Sequence, residues 1–231
     1  MVKTLTELLV YPLTKLINQS IDEAAFPRVL KTAKVIPIFK NRAAASDPSN
    51  YRPISLLPIF SKIFESILKD QITDHFEGCG LFAQSQFGFR NNRSTTLAVG
   101  EFTDCVLEGF ERGLDTYACF YDLTKAFDCV SHNILLEKLS YYGFGNDSIS
   151  LMSSYLMDRT QYVVYKDQSS SNKVIRYGVP QGSVLGPTLF LIYINDIINC
   201  QQGSNLILFA DDTTAYKSYS PLITDPSCIQ S

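Results

Sequence analysis

Two adjacent carboxylates, Asp211 and Asp212, follow an apolar run over residues 206–210, and a third, Asp122, closes the aromatic run 117–121. Acids in a turn have an ordinary explanation, because a solvated tip accepts them at little cost. The flanks support a second one. Both runs read as buried strands, which puts the acids at the edge of a core, where neighbouring carboxylates repel and are costly without a cation. Two such strands lying side by side would gather Asp122, Asp211 and Asp212 into one hard oxygen site suited to Mg2+, with water and substrate phosphates in the remaining positions. Two ions about 4 Å apart, one activating an attacking oxygen and one stabilising a leaving oxygen, are the apparatus of phosphoryl transfer.

Holding these acids requires particular elements. Residues 206–210 and 213–216 flank Asp211 and Asp212 as a tight β-hairpin with both acids at its tip. The run 117–121 is a strand ending at Asp122, and Ala126, Phe127, Val130, Ile134, Leu135 and Leu139 continue at helical spacing. Upstream, apolar residues at 56, 57, 60, 63, 64, 67, 68 and 72 form a helical stripe, with Lys62, Glu65, Lys69 and Asp70 mostly off it. Residues 162–165 and 174–177, separated by a Ser-rich loop, predict a hairpin, and Pro187 opens an apolar helix to about Ile198. Leu5, Leu8, Leu9, Leu13, Leu16 and Ile17 make the N-terminus an amphipathic helix rather than a signal peptide. Elements mixed in this order predict an α+β protein.

The 231 residues, 45% hydrophobic and 19% charged, suit a folded globular chain and exclude a disordered one. A net charge of -3 does not announce a nucleic-acid binder, but its distribution is uneven. Residues 1–93 carry 12 basic and 8 acidic side chains, net +4, and residues 94–231 carry 8 and 15, net -7. Five basic residues without an acid (Arg28, Lys31, Lys34, Lys40, Arg42) surround the strand-like run 35–39, as a solvated edge or a phosphate-tracking surface. The six cysteines are scattered and form no CxxC pair, which argues against a zinc site, a disulfide framework or a disulfide-linked partner. The longest apolar stretch, residues 184–194, contains Gly186 and Pro187 and falls short of the roughly 20 residues that span a bilayer. A soluble intracellular protein, cytoplasmic or nuclear, is expected.

Three blocks in order carry a family resemblance. Residues 120–128, FYDLTKAFD, resemble motif A of reverse transcriptases; residues 178–187, GVPQGSVLGP, resemble motif B; and residues 209–212, FADD, resemble motif C. Residues 50–65, NYRPISLLPIFSKIFE, and 86–94, QFGFRNNRS, are similar to finger motifs of the non-LTR (LINE-type) retrotransposon branch, as is FPRVLKTAKVIPIFK at 26–40. The blocks cover roughly residues 20–216.

The resemblance implies a right-hand polymerase fold: fingers plus a partial palm whose antiparallel sheet is backed by helices. A helical segment 1–19 precedes a reverse transcriptase domain 20–231, with fingers at about 20–114 and 130–177 and palm at about 115–129 and 178–231. It makes Asp122 and Asp211 the metal-binding carboxylates, Asp212 a more peripheral third, and the Leu123 carbonyl a further ligand, for two Mg2+ ions with Mn2+ as a substitute. Phe127 matches the gate beneath the incoming sugar that excludes a 2′-hydroxyl, although its spacing with Val130 and Ile134 equally suits a core aromatic. Gln181 and Gly182 match the pair against the nascent base pair, where a residue without Cβ allows close backbone approach. Arg52 and Lys62 fall at finger positions that touch triphosphate or template, and Arg90 and Arg93 at template-binding ones. Arg159 matches a common position of undefined role. The implied partners are an RNA template, a DNA primer and deoxynucleoside triphosphates, with no membrane.

Only 19 residues follow Asp212, including Pro221 and Pro226, so the expectation is a domain truncated after motif C, without thumb or upstream endonuclease. The leading expectation is an RNA-directed DNA polymerase domain. The alternatives are an inactive remnant that folds and at most binds nucleic acid, and a two-metal nuclease, which leaves PQGS and the gate unexplained.

Overall fold

The computed structural model describes residues 6–40, 44–200 and 203–220. In chain order its elements are α1 (Thr6–Asp22), β1 (Thr32–Phe39), β2 (Tyr51–Leu56), α2 (Ile59–Gly78), α3 (Thr95–Glu111) and β3 (Asp115–Asp122). There follow α4 (His132–Tyr141), α5 (Asn146–Leu156), β4 (Thr160–Tyr165), β5 (Gln168–Ser169), β6 (Lys173–Val174), α6 (Gly186–Ile194), β7 (Asn205–Phe209) and β8 (Asp212–Tyr219). The chain forms two compact units: Met1–Leu81 with Lys125–Tyr193, and Phe82–Thr124 with Ile194–Ser231.

In the first unit β1 pairs antiparallel with β2 and parallel with β4, which also carries the short β5 and β6. Pro37 stands opposite Pro53, a non-hydrogen-bonded position where a missing N–H costs the ladder nothing. Phe26 stacks on Phe64 at 5.1 Å and meets Tyr155 edge-on at 5.0 Å, and α6 is buried nearly all round, as its uniformly apolar sequence requires.

Several local expectations change in this unit. The helix expected from residue 56 starts at Ile59, because residues 51–56 belong to β2 and Pro58 takes the N-cap. Glu65, expected mostly off the apolar stripe, is fully buried on it. The helix expected from residue 126 breaks into a 3-10 turn, Ala126–Cys129, and α4, because the carbonyls of Phe127 and Val130 accept from Val179 (2.9 Å) and Gly178 (2.7 Å) instead of from helix amides. The second arm of the expected 162–177 hairpin shrinks to β6. Of the five clustered basic residues, Lys31 is buried and desolvation lowers its pKa, while Arg42 lies outside the described residues. Arg159 is also buried, over the Tyr155 ring at 4.8 Å and donating to the Tyr155 carbonyl at 3.1 Å.

The second unit is an antiparallel sheet in the order β3-β8-β7, packed by α3. Ser94 caps α3 by accepting from the Leu97 N–H at 3.2 Å. Phe87, Ala98, Ile207 and Tyr216 form its core, joined by Phe102, which meets Tyr216 edge-on at 5.5 Å. The strand ending at Asp122 is not buried as expected: β3 lies at the sheet edge, with Tyr117 and Phe120 61% and 72% exposed. The helix expected to reach Ile198 stops at Ile194, and the 3-10 turn Asn195–Cys200 follows, with the Asn195 carboxamide oxygen accepting from the Ala83 N–H at 2.8 Å. Among the described residues no helix is long and apolar enough to cross a membrane.

Candidate catalytic carboxylate site

The β7–β8 hairpin places its acids by local chemistry. Leu208 is fully buried and anchors β7, and the chain then reverses through Ala210, whose φ of +58° is a left-handed value that turns usually give to Gly. The segment before α3 runs beside this turn: Leu208 N–H donates to the Ser85 carbonyl at 2.8 Å and Phe87 N–H to the Leu208 carbonyl at 2.8 Å. Asp211 therefore sits on the turn and Asp212 begins β8.

Asp122 ends β3 directly opposite Asp212 in the β3–β8 register, although 90 residues separate them in sequence. Side chains at opposed positions share a face, and like charges there are destabilising. Asp212 records this repulsion: desolvation, then the charges of Asp211 and Asp122, raise its pKa above the ordinary carboxylate value. All three acids and Leu123, the residue after β3, belong to the second unit. Among the described residues no three carboxylate, imidazole or thiol groups converge on one point. The donor chemistry nonetheless fits a hard dication, since three mutually repelling carboxylates lose their repulsion when they share positive charge.

The raised Asp212 pKa has a sign that can be measured. Ionising Asp212 costs the folded chain more than the unfolded one; the penalty is absent below the ordinary carboxylate pKa, grows as pH rises through the raised value and is complete above it. Asp212→Asn removes it. In chelator the variant is expected to melt above the parent at pH 7 and to lose that advantage at about pH 3. An advantage equal at both pH values would show that charge is not its cause.

Arg90 and Arg93 are held within the second unit. Arg90 Nη1 donates to the Ala83 carbonyl at 2.9 Å over the Phe82 ring, and Arg93 Nη2 donates to Gln84 Oε1 at 2.9 Å over the Phe87 ring. Both guanidiniums brace the segment beside the hairpin.

The other candidates lie in the first unit. Phe127 is half-buried and stacks on Phe190 at 4.5 Å. Gln181 Nε2 donates to Asp128 Oδ1 at 3.1 Å, and its carbonyl accepts from the Ser55 N–H at 2.7 Å. A Cβ on Gly182 would stand 2.7 Å from the Ser55 carbonyl oxygen, so this glycine is what lets the loop lie against β2. Arg52 is exposed on β2 and Lys62 half-buried near the start of α2.

The residue that sequence reasoning missed is Glu65, on α2, whose side chain reaches the segment ahead of α6. One carboxylate oxygen accepts from Ser61 Oγ at 2.8 Å; the other accepts from the N–H groups of Val184 (2.7 Å) and Leu185 (3.4 Å), just ahead of α6. An acid one residue from buried Phe64 was the available signal. Glu65→Ala strands these donors and opens a cavity, so it is expected to cost about 3 kcal/mol, or about 6–12 °C in Tm. A change under about 2 °C in a melting curve would mean that water replaces the carboxylate.

Residues 38–221 match the family described as reverse transcriptase (RNA-dependent DNA polymerase). The chain is 32% identical over 225 residues to "RNA-directed DNA polymerase from mobile element jockey" of Drosophila melanogaster, covering 94% of this chain and 24% of that protein. It is 35% identical over 178 residues to "Probable RNA-directed DNA polymerase from transposon BS" of the same organism, covering 74% of this chain and 19% of that protein. The chain thus spans about a fifth to a quarter of these relatives. Among solved structures, apo telomerase from Candida tropicalis truncated from its C-terminal domain superposes with a TM-score of 0.57 at 14% identity, covering 84% of this chain and 44% of that one. The fold is the right-hand polymerase fold in its mixed α/β form.

Proposed function

Since this chain belongs to the reverse transcriptase (RNA-dependent DNA polymerase) family, we propose that it is the nucleotidyl-transfer region of a non-LTR retrotransposon's RNA-directed DNA polymerase. The observation that carries the reading is the β3–β8 register, which sets Asp122 opposite Asp212 and next to the turn that bears Asp211. Asp122, Asp211, Asp212 and the Leu123 carbonyl would hold two Mg2+ ions, with Mn2+ as a substitute. Bound there, the ions would activate the primer 3′-hydroxyl and take up charge on the leaving pyrophosphate.

The chain's own residues supply the rest. Phe127 is proposed as the ring that rejects a 2′-hydroxyl, its stack on Phe190 fixing its plane. Gln181 and Gly182 would lie against the nascent base pair, Arg52 and Lys62 against the triphosphate, and Arg90 and Arg93 near the template, where their charges add to attraction of the phosphate backbone. Fingers at about 20–114 and 130–177 and palm at about 115–129 and 178–231 follow from the same reading, as does an intracellular site of action on RNA template, DNA primer and deoxynucleoside triphosphates.

The test is primer extension by this chain with oligo-dT on poly-rA. Incorporation of dTMP that requires Mg2+ or Mn2+ and is lost with chelator is the expected result. A folded chain that binds the template-primer yet incorporates nothing at any concentration of either ion would overturn the reading in favour of an inactive remnant.

A further inference from the structure

Ala210 is 4% exposed, and its N–H lies in the turn, outside the β7–β8 ladder. A buried amide without a partner is costly, and among the described residues this one donates to Gln86 Oε1, at 3.0 Å. The same oxygen accepts from the Gly88 N–H at 2.8 Å, so the carboxamide ties the hairpin turn to the strand-like segment beside it. Gln86 is itself 2% exposed and pairs with Leu208 in a parallel bridge. Its orientation is not free: turning the amide over would aim an NH2 group at two N–H donors. Among the described residues buried Nε2 has no hydrogen-bond partner, the side of the carboxamide that is sacrificed to keep the oxygen on the turn. Gly88 makes the approach possible, since a Cβ there would overlap the Ala210 nitrogen and stand 2.9 Å from the Phe209 carbonyl carbon.

We propose that Gln86 is a positioning residue for the carboxylate hairpin: its side-chain oxygen sets where the Ala210 turn lies, and so where Asp211 stands relative to Asp122. The inference rests on the reading of those acids as metal ligands and goes beyond it, because Gln86 touches neither acid nor ion. Ala210 holds a left-handed φ that an L-residue keeps only when its surroundings insist, and the Gln86 bond supplies that insistence one residue from Asp211. Groups that orient metal ligands in this way change metal affinity about 10–100-fold when removed.

The test uses the 231-residue chain and Mn2+ as probe, with free Mn2+ followed by electron paramagnetic resonance and Ala210 followed by amide hydrogen exchange. Gln86→Met fills nearly the same volume and replaces the amide oxygen with a thioether, a far weaker acceptor. It is expected to weaken Mn2+ binding about 10–100-fold and to expose the Ala210 amide to exchange. Gln86→Glu keeps an acceptor and should restore that protection; if the Met variant does not fold, Gln86→Asn, whose carbonyl is one methylene short, replaces it. Phe102→Leu, which loosens the same unit's core, should lower Tm while leaving Mn2+ affinity within about twofold. Wild-type Mn2+ affinity in Gln86→Met or Gln86→Asn, alongside lost affinity in Asp211→Asn, would overturn the positioning role and leave the functional reading standing. Unchanged Mn2+ binding in both Asp122→Asn and Asp211→Asn would overturn that reading, and this inference with it.

Discussion

Asp211→Asn is expected to lower dTMP incorporation on poly-rA and oligo-dT by about a thousandfold or more, with template-primer affinity nearly unchanged. An amide keeps the shape of the side chain and removes the charge proposed to hold a divalent ion. Losing about 4 kcal/mol of transition-state charge stabilisation corresponds to about a thousandfold in rate. Asp122→Asn should match it, and Asp212→Asn should cost less, as befits a peripheral carboxylate. The same substitution removes one of the charges that raise the Asp212 pKa, so in chelator the inactive variant should melt no lower than the parent. Loss of activity without loss of stability separates a charge-bearing ligand from a turn residue. Single-turnover incorporation and a melting curve on the same sample decide it: an Asp211→Asn chain within about tenfold of the parent would remove Asp211 from the chemistry.

Gly178→Ala is expected to destabilise the first unit strongly. At φ +85° an L-residue is strained by about 1–2 kcal/mol. The added Cβ would also stand 2.8 Å from each of three backbone atoms: Asp128 Cα, Asp128 O and Phe127 O. Backbone cannot yield as a flexible side chain does, and such overpacking costs about 1–3 kcal/mol more. Relief by movement would stretch the bonds that hold the loop, Gly178 N–H to the Val130 carbonyl at 2.7 Å and His132 Nε2 to the Gly178 carbonyl at 2.8 Å. The total is about 2–5 kcal/mol, or a fall in Tm of about 10 °C. Gly143→Ala is the internal control, because Gly143 has a similar φ of +88° but nothing within 4 Å of an added Cβ. It should show the strain alone. Equal losses at the two positions would mean that the overlap at Gly178 is relieved without cost.

Individual segments were legible where one face is buried and the other wet. The β7–β8 hairpin with acids at its tip and the existence of α1 and α2 follow from periodicity and turn chemistry, the strand ending at Asp122 follows from its aromatic run alone, and the ordered motifs placed the chain in its family. The helix α3 shows where that signal blurs. Its buried stripe of Ala98, Phe102, Cys105 and Gly109 has helical spacing, but exposed Leu97, Val99, Leu107 and Phe110 crowd around it and hide the period. Chemistry-bearing residue types were equally readable, since Asp122, Asp211 and Asp212 announce a hard oxygen site wherever they meet.

Tertiary structure alone decided which residues meet. That Asp122 faces Asp212, with Asp211 on the turn, depends on the register of two strands far apart in sequence, and a slip of one residue would set Asp122 opposite Asp211 or Thr213 instead. The aromatic run of β3 is exposed because little packs on the faces of this edge strand, a fact about the tertiary structure and not about the run. The helix foreseen through residues 126–139 breaks because Gly178 and Val179 claim its carbonyls. Glu65 and Gln86 carry ordinary polar side chains whose importance lies in the amides they reach at Val184 and Ala210. Periodicity reports the burial of a segment's own faces, whereas a buried hydrogen bond is specified jointly by two segments, so its partner becomes known only when the chain has brought them together.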